Sequence, residues 1–196
     1  MRFLRLLACS NAISALAVRN PEPETDMTAR QPSPVTATET DSFSLTGIFS
    51  RDQERAWEQA ESFVGSSLEH GKYYYFMSCN PAYARDRQET DAYLVYVISK
   101  TECAHVGLVI GKTSRYSKKF EAEYLHVKHL DGRWAQTRYD WDGTIAEQYL
   151  VYDGMRDSVS MIMLWMRGMA WVMSAGSKID EKWNCLTYYD YMVSGF

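Results

Sequence analysis

The chain has 196 residues, of which 46% are hydrophobic and 23% charged; that balance excludes a collagen-like, a wholly disordered or a disulfide-dense miniprotein. A net charge of −4 and a pI near 5.6 argue against a general electrostatic grip on nucleic acid or anionic lipid. Fourteen Tyr, six Trp and ten Met are enough bulky material for a real core, and the four cysteines are Cys9, Cys79, Cys103 and Cys185.

Residues 1–17 read as a signal peptide. Arg2 and Arg5 form a positive start, an apolar stretch runs from Leu6 to Leu16, and Ala15-Leu16-Ala17 fits the small-x-small cleavage rule. The stretch is too short for a membrane span, which needs about 20 apolar residues. Residues 18–46 hold Pro21, Pro23, Pro32 and Pro34 among Thr, Glu and Ser. Such a composition buries too little surface to offset its ordering entropy, so it reads as a disordered linker or pro-segment. No Asn-x-Ser/Thr sequon occurs, so N-glycosylation is not expected.

The folded domain is expected over 47–196. Arg51–His70 carries Ala56, Ala60, Phe63, Val64 and Leu68 at helical spacing, with Ser50, Asp52 and Glu54 suited to its start and Gly71 to its end. Alternation and β-prone content predict strands over Lys72–Met77, Asp91–Ser99, Ala104–Gly111 and Ala122–Leu130, with weaker ones at Arg138–Trp141 and Ala146–Tyr152. Gly132 and Gly143 mark turns in an antiparallel meander. Asp157–Ser174 is apolar on several faces; Arg167 and Gly168 in its middle favour a buried core helix over a membrane segment. Asn184–Val193 predicts a final helix with Asn184 as its cap. The layout is α+β: helix, strands, helix, helix.

Two short motifs concentrate the chemistry. In Ala104-His105-Val106-Gly107-Leu108-Val109-Ile110-Gly111 a histidine opens an apolar strand, where packing holds its ring, and Gly107 leaves room for something close to the backbone. In Trp183-Asn184-Cys185-Leu186-Thr187 a cysteine sits on the first turn of a predicted helix, where free N–H groups and the helix dipole favour a thiolate. A histidine facing that thiol takes its proton and later returns one to the leaving group. The amides near Cys185 suit a developing oxyanion. Singly, a strand histidine is more often structural and a helix cysteine more often a small buried hydrophobe; the two contexts together carry the reading.

These residues, with His126 on the next strand, resemble the NlpC-like papain-fold superfamily. The order His before Cys is that of its circularly permuted, lecithin:retinol acyltransferase-like branch, and the resemblance spans residues 72–196. It implies an antiparallel sheet or half-barrel packed against helices. It also implies Cys185 as nucleophile, His105 as base and His126 as the group that orients His105, with His129 or Glu123 as alternatives for the third role.

With Cys9 assigned to the signal, three cysteines remain, and one of three must stay free or pair between molecules. Cys79 follows one predicted strand and Cys103 precedes another, so a Cys79–Cys103 bridge would leave Cys185 reactive. The acidic Asp140-Trp141-Asp142 and Asp153 lack calcium-loop spacing, so no metal is expected. Lys112–Lys119 reads as a solvated basic hairpin tip. Trp141, Tyr149 and Trp183 are candidates to line a groove for an acyl chain, a sugar or a peptide. No phosphate loop, dinucleotide fingerprint, serine elbow or zinc pattern occurs, and no cofactor is expected. The expected function is a secreted thiol hydrolase or acyltransferase acting through a thioester on a peptide, cell-wall or acyl substrate, with no nucleic-acid or integral-membrane role. The alternatives are a non-catalytic secreted binding or effector protein on the same fold, and a toxin-like transferase.

Overall fold

The computed structural model describes residues 45–83, 91–144 and 148–196, with side chains from residue 51 onward. The expected signal and linker segments lie outside the described residues up to position 44. The elements run in the order α1 (Leu45–Val64), β1 (Tyr73–Pro81), α2 (Ala92–Thr101), β2 (Cys103–Thr113), β3 (Phe120–Leu130), β4 (Arg133–Trp141), β5 (Tyr149–Arg156), α3 (Met161–Ala175) and α4 (Cys185–Val193). The described residues are therefore α+β, with one five-stranded sheet ordered β4-β3-β2-β1-β5, antiparallel throughout, and four helices.

Strand alternation sorts the side chains into two cores. Val106, Leu108 and Ile110 of β2 and Leu125 and Val127 of β3 face a core shared with α2, α3 and α4. Val109, Tyr74, Phe76, Phe120 and Ala122 face the opposite way, against Ala56, Trp57 and Ala60 of α1. We call these the helical face and the α1 face. Among the described residues no helix is long and apolar enough to cross a membrane.

Three expectations are corrected. The first helix stops at Val64, not at Gly71; Gly65 takes a positive φ of 75° and its N–H bonds the Glu61 carbonyl at 3.0 Å, so the chain turns there with no side-chain strain. The segment predicted as a strand from Asp91 to Ser99 is helix α2. Its β-branched and aromatic residues suggested a strand, but only Val97 is fully buried along the element, with Tyr96 packed partly buried beside it on the helical-face core. A single covered stripe suits a helix laid on the sheet margin, and tertiary context overrides propensity. The chain then swings into β2 through Glu102 in the left-handed conformation. The third correction is to the simple meander: β2, β3 and β4 follow it, but β5 pairs on the far side of β1. The β3–β4 turn forms as expected, a two-residue hairpin with positive φ at Asp131 and Gly132.

Helix α3 begins at Ser160, whose side chain accepts from the Met163 N–H, and buries Leu164, Gly168, Trp171 and Ala175. Gly168 is needed for contact, because an added Cβ there would lie 2.5 Å from the Gln136 amide on β4. Cys79 and Cys103 form a disulfide with Cα atoms 5.4 Å apart, and Cys185 is free and buried. The bridge joins β1 to the beginning of β2 and closes a loop of 24 residues' separation. Replacing both cysteines by serine is expected to cost roughly 3 kcal/mol, mostly by freeing the unfolded chain. Urea denaturation of the variant and the parent checks this; equal midpoints and slopes would show that the bridge does not constrain the fold.

Candidate active site

The site is built around an opening in the sheet. The paired register of β2 with β3 runs from Thr113↔Phe120 to Leu108↔Leu125 and no further. Below it, β2 continues against β1 as far as Asn80↔His105, with Cys79 opposite Val106. There β3 continues against β4, with His126 opposite Thr137. The backbone of Val106 thus lies in the opening between β2 and β3.

Helix α4 brings Cys185 to this opening from the helical face. Asn184 has extended backbone, and its Oδ1 accepts from the N–H of Leu186 at 3.0 Å and of Thr187 at 3.1 Å, while Thr187 Oγ1 accepts from the Asn184 N–H at 3.1 Å. Its Nδ2 donates to the carbonyls of Asp180 and Glu181 at 3.0 and 2.9 Å. With no surface exposed, every polar group of Asn184 is occupied, which fixes the first turn of α4 and the residue that opens it. Cys185 is 5% exposed. The amides of Val106, Cys185 and Leu186 face its sulfur and pull its pKa down, but burial outweighs them and pushes it up to about 11. The expected thiolate is therefore corrected: the resting group is a neutral thiol, because desolvation exceeds what three amides return.

The two histidines approach from the α1 face. His105 Nε2 and His126 Nδ1 are hydrogen-bonded at 2.9 Å, and the rings meet edge to face. His126 is 5% exposed and its Nε2 is buried without a partner. Burial lowers His105 to about 4, with a smaller push from the Lys128 ammonium; burial, then His105, then Lys128 lower His126 to about 3. Both rings are neutral at rest. Among the described residues no side-chain hydrogen bond joins the Cys185 sulfur to either ring, and the opening at Val106 lies between them.

The alternatives for the third role fall elsewhere. His129 and Glu123 are an odd number of positions from His126 along β3, so the pleat turns them to the other face. His129 meets Trp134 edge to face, and Glu123 pairs with Arg138. Other candidates are also accounted for. Asp142 accepts from Arg55 and Thr144, and Asp153 accepts from the Tyr189 hydroxyl at 2.7 Å. Among the described residues no group of three or more His, Cys, Asp or Glu is arranged to hold a metal. Trp141, Tyr149 and Trp183 do not line one groove. Trp141 packs on Phe120 in the α1-face core, Trp183 on Trp171 at the helical face, and the Tyr149 hydroxyl lies 3.9 Å from the Cys103 sulfur. A cavity of about 430 Å³ bordered by Asp52, Lys112, Glu121, Asp140 and Asp142 contains none of the three site residues.

Sequence reasoning missed the polar lining of the α1 face. Asn80, opposite His105, and Tyr124, two residues before His126, each hold a buried oxygen without a hydrogen-bond partner. The room left by Gly107 is filled by Tyr124: a Cβ at Gly107 would lie 2.4 Å from its ring and 2.7 Å from its hydroxyl. Gly107 was the available signal, since it announces a close neighbour without naming it. No protein-family model matches the chain, and neither a curated protein nor a solved structure matches it.

The lowered histidines fix an acid limit. Unfolded histidines take up protons near pH 6.5, roughly, while these two stay neutral until about pH 4. The unfolded state thus binds more protons in that window, and stability present above it is lost as pH falls from roughly 6.5 towards 4. The melting temperature is expected to drop across this range and to drop less in a His105→Asn/His126→Asn double variant. An identical acid slope in both proteins would contradict the buried neutral pair.

Proposed function

We propose that the protein is a secreted thiol-dependent hydrolase or acyltransferase on a permuted papain-like fold, with Cys185 as nucleophile, His105 as base and His126 orienting it. The observation that carries the reading is the convergence at one opening in the sheet. A capped helix start presents Cys185, the free cysteine among the described residues, to the amide of Val106, and a hydrogen-bonded histidine pair flanks that amide from β2 and β3 on the other face. The disulfide supports an oxidising compartment, and the order of His105 before Cys185 in an α+β chain supports the permuted arrangement.

The hydrogen bond suggests how the base is prepared. If His105 donates from Nε2 to His126 Nδ1, its own Nδ1 carries the free lone pair, and His126 holds its proton on the unpartnered Nε2. The thiol proton passes to His105 Nδ1 as the sulfur attacks a carbonyl carbon. The carbonyl electron pair moves to oxygen, and the C–S bond forms. The leaving amine or alcohol departs with the proton from His105. Water or a second acceptor then attacks the thioester, losing its proton to His105, and the thiol is restored. Because thiol and imidazole are both neutral at rest, proton transfer accompanies attack. The candidate bond is an amide, a peptide or an ester.

The same burial favours one other reading, a non-catalytic secreted binding or effector protein whose cysteine is merely packed. Alkylation by iodoacetamide with mass mapping separates the two. Catalysis requires selective labelling of Cys185, a rate that keeps climbing into the alkaline range, and a loss of about 100-fold or more at neutral pH in His105→Ala. Labelling that is insensitive to His105, or absent while the protein remains folded, supports the binding protein instead.

A further inference from the structure

The hydroxyl of Tyr124 is buried on the α1 face. Among the described residues it makes no hydrogen bond of normal geometry, the Ser78 hydroxyl stands near it as a weak partner, and burial, the largest cause, raises its pKa well above the usual tyrosine range. Ser78 opposes this shift as a weak hydrogen-bonding neighbour, but its hydroxyl donates its proton to Gln148 at 3.0 Å. A buried polar atom without a partner costs stability and calls for a reason.

The position of the ring is over-determined. Tyr124 stacks on His126 with centroids 4.6 Å apart and planes 14° apart. From the other side it lies on Gly107, where nothing larger than a hydrogen fits. The hydroxyl is thereby held over Gly107, next to Val106, whose amide faces the Cys185 sulfur. Tyr124 is also near enough to Cys185 that charge on the sulfur acts on it.

We propose that the Tyr124 hydroxyl is the side-chain oxyanion donor of this site, working with the Val106 and Cys185 amides. The proposal rests on the acyl-transfer reading above. When the Cys185 sulfur bonds to a carbonyl carbon, the carbonyl oxygen takes the electron pair, and Tyr124 donates a hydrogen bond to it without giving up its proton. When the intermediate collapses, the C=O bond reforms and the leaving group departs with the proton held by His105. A donor that is fixed in place and unpaired at rest needs no reorganisation as charge develops, which is what makes such groups effective. Its high pKa keeps the proton in place throughout. The unpartnered state is then explained: the partner exists only during reaction.

The experiment compares Tyr124→Phe with the parent full-length protein in two reactions of Cys185. Acylation by p-nitrophenyl acetate passes through an oxyanion; the sulfur takes the acetyl group, p-nitrophenolate leaves, and the thiol proton goes to His105. Alkylation by iodoacetamide is a direct displacement of iodide with no oxyanion. Removing the hydroxyl is expected to slow acylation by about 10²–10³-fold and to leave alkylation within about twofold. The melting temperature should change little, because no well-formed hydrogen bond is lost. Equal acylation in both proteins overturns the role of Tyr124 while leaving the acyl-transfer reading intact. Parallel losses in acylation and alkylation also overturn it, since they report a disturbed site. A parent protein that alkylates at Cys185 but never acylates sinks the acyl-transfer reading, and this proposal with it.

Discussion

Everything at the candidate site depends on the pairing of β2 and β3 stopping at Leu108↔Leu125. A sheet that closed along its whole length would bond the Val106 amide to β3 and seal the two faces from each other. As it stands, β2 keeps its β1 partner and β3 keeps its β4 partner, so each strand stays rigid while a gap opens between them. A cysteine on the helical face and histidines on the α1 face then flank this gap from opposite sides. Neither face contains the whole set of groups. The gap is also the place where backbone polarity is unspent, and an amide facing a sulfur is its natural use.

The electrostatic balance at this gap runs against the simplest expectation from helix position. A cysteine at a helix start gains from the dipole and from free amides, and such sites often hold thiolates. Here the Asn184 side chain already occupies the Leu186 and Thr187 N–H groups, so part of that positive end is spent on capping. Burial of the thiol then decides the outcome, and the same dry surroundings hold both imidazoles neutral. A neutral thiol and neutral imidazoles are compatible with the proposed general-base attack, in which the proton moves as the bond forms. They are not the stored ion pair of a permanently activated thiol.

The sequence revealed those parts whose signals are local. Asn184 followed by Cys185 and Thr187 is a cap and its reciprocal partner within four residues, and the helix start was legible from them alone. The strand around His105 was equally plain, because His105 and Gly107 interrupt an apolar run with strict alternation. Parity along β3 was also available: residues three apart from His126 point to the opposite face, which separates His129 and Glu123 from it without any structure. What was not legible depends on partners distant in sequence. Helix α2 has the composition of a strand, and its place at the sheet margin, with Val97 buried and Tyr96 packed beside it, makes it a helix. Tyr124 was one of fourteen tyrosines, and nothing local distinguished it from core filling. Its significance comes from Gly107 on the neighbouring strand.

The disulfide ties these elements together. Cys79 stands opposite Val106 in the β1–β2 register, and Cys103 begins the strand three residues before it. A strand that has lost one neighbour is held by the other alone, so the end of β2 that carries His105 and Val106 would be the part of the sheet most free to fray. The bridge pins that end to β1 from the helical face. On the α1 face the His105–His126 hydrogen bond spans the gap that the backbone leaves open. The opening is thus braced on one side by a covalent bond and across its width by an imidazole contact. A gap can persist in an otherwise regular sheet because these side chains carry the constraint that ladder hydrogen bonds carry elsewhere.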